Sequence, residues 1–194
     1  MVTKLTSFTA PVHEFDKQAF WQFGYDFYQL PDVEKTLLVL QNQFGLNVNL
    51  TLFLIWYSYN FQHIITTRHI ERLLDAIAIQ DEWVAEFRSY RKDFTSKMQN
   101  QLEIDITDVK QSLLDSELTL EALVQAAIIQ YAKQNLLSTA PTENIKIIEV
   151  NFIANENLDC YFQYIHPEQQ PRLWDATKLL LSRLTEFLNL SVAA

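Results

Sequence analysis

The chain has 194 residues, 48% of them apolar and 13% aromatic, which is enough to close one hydrophobic core without disulfides and too apolar for a disordered chain. A formal charge of −9 argues against DNA or RNA as a partner, because phosphate contacts need clustered Lys and Arg, and against an anionic bilayer unless a divalent cation bridges the two. Cys160 stands alone and excludes an intramolecular disulfide, and two glycines, Gly24 and Gly45, exclude a Gly-rich phosphate loop.

Residues 1–15 read as an N-terminal arm without the apolar run of a signal peptide, which together with the lone thiol predicts a cytoplasmic protein. Asp16 then caps a helix to about Leu30, because Phe20, Phe23 and Phe27 repeat at helical spacing and Pro31 stops it. Gly24 inside that helix predicts the close approach of a neighbour. From Asp32 to Phe44 the stripe of Val33, Leu37, Leu40 and Phe44 gives a second helix, ended by Gly45 as a left-handed cap.

Asn47 caps a third helix, Val48 to about Tyr59, apolar around most of its circumference and so expected at the centre of the molecule. Its apolar run is far too short to cross a bilayer. Thr67 is read as the cap of a segment with Ile70, Leu73, Leu74 and Ile77, and a further helix from about Asp81 carries Trp83, Val84, Phe87, Tyr90 and Phe94, with one kinked helix as the alternative.

The longest predicted helix runs from Asp105 or Thr107 to about Leu136. Residues 138–150 are linker-like, although Ile145, Ile147, Ile148 and Val150 would suit a short strand. Helices are expected from about Asn151 to Ile165 and from Leu173 to about Leu188. The sum is an all-α bundle of six to eight helices, one domain over residues 1–194, built around a central apolar helix.

The order Phe20-Trp21, Tyr28, Pro31, Val33, Leu40-Gln41, Gly45, Val48-Asn49, Leu52 and Trp56 resembles a small proteobacterial family of unknown function. The resemblance continues through Trp83, Arg88 and Arg91, then Val109-Lys110, Glu117-Leu118 and Glu121, and covers about Phe20 to Ala132. It implies an all-α fold and brings no catalytic residue or cofactor with it.

Two clusters remain as candidate sites. Arg88, Arg91 and Lys92 are the densest cations, and Arg88 and Arg91 share a helix face where two guanidiniums would clamp an anion. The competing reading pairs both arginines with Glu117 and Glu121 on the following antiparallel helix. Glu103, Asp105 and Asp108 bring hard oxygen ligands together near a helix start, where calcium is the expected cation, although acidic residues suit a helix start on dipole grounds alone.

The histidines are scattered, and Cys160 sits between Asp159 and Tyr161 without cations to activate it, so neither zinc nor thiol catalysis is expected. The reading that follows leans away from an enzyme. It is a helical protein acting by association with itself or a protein partner, modulated by calcium and serving stress response or envelope maintenance. The alternative is a small-molecule binder or enzyme whose interhelical aromatic pocket, from Trp21, Tyr25, Tyr28, Trp56 and Trp83, works with the arginine clamp.

Overall fold

The computed structural model describes residues 14–101, 105–138, 146–168 and 171–192. Among them are seven helices: α1 (Lys17–Tyr28), α2 (Val33–Phe44), α3 (Val48–Phe61), α4 (Thr67–Gln101), α5 (Thr107–Asn135), α6 (Ile147–Ile165) and α7 (Pro171–Val192). The fold is all-α, and one apolar cluster joins residues of every helix.

Local chemistry sets the first boundaries. Asp16 Oδ1 accepts the Ala19 N–H at 2.7 Å, satisfying one of the donors that a helix start leaves open. Gly45, at φ 64°, closes α2 as its N–H donates to the Gln41 carbonyl and the Leu46 N–H reaches back to that of Leu40. Asn47 Oδ1 accepts the Leu50 N–H at 2.8 Å to open α3.

Every residue of α3 from Asn49 to Phe61 is buried, under α1, α2, α5 and α6. Its polar side chains turn back on the helix, since the Thr51 and Ser58 hydroxyls and the Asn60 amide donate to carbonyls one turn earlier. Asn157 of α6 pins the following loop by accepting from Ile65 N–H and donating to Ser58 Oγ and the His63 carbonyl.

The most extensive helix pair is α4 with α5. They run antiparallel, since His69 meets Tyr131 at one end and Arg88 meets Glu117 and Glu121 further along. At 35 residues, α4 is roughly 52 Å long. Val84 is its last buried residue, and Glu117 is the first buried residue inside α5, so the far half of this hairpin packs mainly on itself.

Several boundaries differ from the sequence reading. Residues 67–101 form one helix, the alternative reading of that stretch, because no Pro or Gly interrupts them. The Thr66 carbonyl accepts from His69 and Ile70, so Thr67 lies inside the helix and is not its cap. Ile147, Ile148 and Val150 are helical, with α6 starting four residues before Asn151; burial of Val150, Ala154 and Leu158 on one face outweighs the β-branched preference. Phe15, assigned to the arm, is buried with its ring 4.4 Å from that of Phe61.

A Cβ at Gly24 would meet Leu52 Cδ1 at 3.7 Å and Gln125 Nε2 at 3.8 Å, which is ordinary contact, so no close backbone approach explains this glycine. Residues 1–13 of the arm and 139–145 of the linker-like stretch lie outside the described residues.

Candidate functional site

The charged centre of the molecule lies where α4 and α5 meet the end of α1 and the start of α3. Glu117 of α5 is buried, and its two oxygens are taken by two arginines: Arg88 Nε donates to Oε1 at 2.8 Å and Arg91 Nε to Oε2. Arg88 Nη2 also donates to Glu121 Oε1 at 2.7 Å. One turn separates Glu117 from Glu121 and Arg88 from Arg91, so the two helices present matched pairs.

The two glutamates differ in kind. Burial alone would raise the Glu117 pKa, but hydrogen bonds from Arg91 and Arg88, with their charges, outweigh it and hold the carboxyl below its ordinary value. At Glu121 burial wins over the Arg88 charge, and the negative charges of Glu117 and Asp81 add to it, so this carboxyl is raised. Environments that push two carboxyl groups apart give one fixed anion and one group that takes up a proton readily.

Further polar groups extend the centre inward. Asp81 of α4 accepts from Asn47 Nδ2 at 2.7 Å, and burial raises its pKa against that bond and the Arg88 charge. Asn47 holds a third partner, its N–H donating to the Tyr161 phenol oxygen at 2.8 Å. Tyr28 of α1 is pushed up to about 12, first by burial and then by the charges of Glu34 and Glu121. Gln125, one turn beyond Glu121, donates through Nε2 to Asn49 Oδ1 at 2.8 Å, while its Oε1 is buried with no donor among the described residues.

The arginines are not used up. Arg91 commits only its Nε, and Arg88 leaves Nη1 without an acceptor among the described residues. Both side chains are partly exposed, Arg88 at 19% and Arg91 at 22%. Lys92, one turn after Arg88, is exposed and makes no ion pair among the described residues.

Among the described residues the five aromatics expected to line a pocket do not meet one another. Trp56 is sealed among the rings of Phe15, Phe20, Phe53 and Phe61, while Tyr25 and Trp83 are exposed, and no ring contact joins the five residues. The apolar faces of α1 and α3 consume their aromatics in the core. Cys160 is half-buried with Sγ 3.6 Å from Thr67 Oγ1.

Of the acidic trio, Glu103 lies outside the described residues. Asp105 is exposed and engaged locally, accepting from Thr107 Oγ1 at 2.6 Å and Thr107 N at 2.9 Å, bonds that lower its pKa. Asp108 is exposed in the first turn of α5. Among the described residues no group of three or more His, Cys, Asp or Glu is placed to hold a metal ion. No helix among them is long and apolar enough to cross a membrane.

Residues 19–128, more than half of the chain, match the model of the family described as Protein of unknown function (DUF2390). The chain belongs to that family. No curated protein and no solved structure matches it. The DUF2390 segment runs from α1 into α5 and encloses Tyr28, Asn47, Asp81, Arg88, Arg91, Glu117, Glu121 and Gln125. Only Tyr161 of this network comes from outside it.

Sequence spacing alone singles out Arg88, Arg91, Glu117 and Glu121, and misses Asn47, Asp81 and Gln125 as members. A usable signal exists for Gln125. It follows Glu121 and precedes Ile128 and Ala132 in the buried phase of α5, where a polar residue needs a partner. Asp81 stands seven residues before Arg88, two turns along the same face.

Proposed function

We propose that the protein binds a small anionic molecule through Arg91, Arg88 and Lys92. The observation that supports this reading most is the half-used guanidinium of Arg91: its Nε is anchored on buried Glu117 while neither terminal nitrogen has an acceptor among the described residues, and the side chain is 22% exposed. A fork anchored at one edge loses little side-chain freedom when the other edge takes a carboxylate or phosphate. Arg88 Nη1 and Lys92 lie within one turn on the same helix and add two more donors.

Calorimetric titration at constant ionic strength with inorganic phosphate, acetate and succinate tests this. Saturable binding of at least one anion, lost in Arg91→Gln, is expected. No saturable heat with any of the three, or equal binding by the variant, would remove the proposal.

A second reading, association with another chain, rests on the exposed face of α4 described next. Calcium modulation of that association would have to draw on Glu103, Asp105 and Asp108, of which Asp105 already serves Thr107.

A further inference from the structure

From Ile79 onward α4 carries an apolar face outside the buried core, with Phe87 and Phe94 half-buried at its edge. Ile79, Trp83, Phe87, Tyr90 and Phe94 follow one another at steps of four, four, three and four residues, so they form one stripe roughly 22 Å long. Ile79 is 59% exposed, Trp83 49% and Tyr90 55%. These rings are already arranged for contact: Tyr90 stacks on Phe94 at 5.5 Å and lies 6.3 Å from Phe87. Pre-set rings lower the ordering cost of binding.

The flank of the stripe is acidic. Glu82 and Glu86 are exposed one turn apart and make no ion pair among the described residues. Their neighbours on that side are neutralised, Asp93 by Lys97 and Asp75 by Arg72 at 4.0 Å.

We propose that this stripe is the docking face for an amphipathic helix of another protein, one with an apolar seam and Lys or Arg on the flank that meets Glu82 and Glu86. Its length of about four turns and near-heptad spacing fit a helix. Charge selects the occupant. In an antiparallel pair of copies each flank meets the same flank of its mate, which sets Glu82 and Glu86 against their own kind on two chains of −9 each. An anionic lipid surface is repelled by the same carboxylates. A basic helix alone gains both apolar burial and charge pairing.

The test uses a dye-labelled peptide of about 18 residues with Leu on one face and Lys on its flanks, and a second peptide with Glu in place of Lys. Fluorescence anisotropy is expected to show binding of the Lys peptide, weakened about tenfold or more in Trp83→Ser/Tyr90→Ser and in Glu82→Lys/Glu86→Lys. The charge-reversed variant should then take the Glu peptide. All four positions are exposed, and circular dichroism confirms that the variants fold. Equal binding of both peptides, or indifference to charge reversal, overturns the proposal. So does a doubled mass in light scattering that Trp83→Ser/Tyr90→Ser abolishes, which would make a second copy the occupant. Arg91→Gln should leave peptide binding unchanged, separating this face from the anion site.

Discussion

Glu117 shows how one side chain ties two helices together. Its oxygens face Arg88 and Arg91, so Glu117→Ala strands two half-buried cations at once. A loss of about 3 kcal/mol is expected in urea unfolding, the usual cost of breaking a buried pair from one side. A loss below about 1 kcal/mol would mean that water already screens the cluster, as at exposed pairs. Gly24 makes the opposite case. A methyl group there finds ordinary contact distances to Leu52 and Gln125, and the helix interior gains backbone order, so Gly24→Ala is expected to stabilise by about 0.5–1 kcal/mol. A destabilised variant would show that the glycine makes room for α5 to move.

At the scale of elements, what could be read from sequence was what local chemistry decides. Asp16, Gly45 and Asn47 announce helix ends because their side chains or backbone angles act within four residues of themselves. The start of α6 could not be read that way, since Ile147 and Ile148 favour a strand until Val150 and Ala154 find the core. Nor could the second duty of Asn47, which depends on Asp81 arriving from 34 residues away. Asn47→Ala therefore removes a cap and leaves a half-buried carboxylate without its donor. The two effects together should cost about 2–3 kcal/mol. Asn47→Asp keeps the cap but sets a carboxylate against Asp81, so it should recover little of that loss at neutral pH and more in acid. Equal stability of the alanine variant and the parent in a urea titration would show that Tyr161 and water hold Asp81 without Asn47.

For the whole molecule, sequence spacing brings the four charged partners together but cannot say which carboxyl keeps its proton, because burial decides that. Burial raises Asp81, Glu121 and Asp159, while Glu117 is lowered by its arginines and Asp105 by Thr107. The two classes act on stability in opposite senses. A raised carboxyl binds its proton more tightly in the folded chain, so its contribution is complete below the unfolded pKa and is lost as pH rises through the folded value. The lowered Glu117 and Asp105 contribute above their unfolded values, and those contributions are lost as pH falls through the folded ones. Stability should therefore peak in mild acid, near the ordinary carboxylate range of about pH 4–5 or just above it, and decline toward neutrality. Glu121→Gln cannot ionise and still offers Arg88 an acceptor oxygen, so it should flatten the decline and leave the acid limb set by Glu117 and Asp105 in place. Urea midpoints taken across the acid and neutral range for parent and variant decide this. A parent curve that rises steadily to pH 7, or a variant with the same slope as the parent, would show that Glu121 is charged in the folded chain. Phosphate or carboxylate would then meet a second negative charge at Arg88, in addition to that of Glu117, and Glu121→Gln should bind the anion more tightly than the parent.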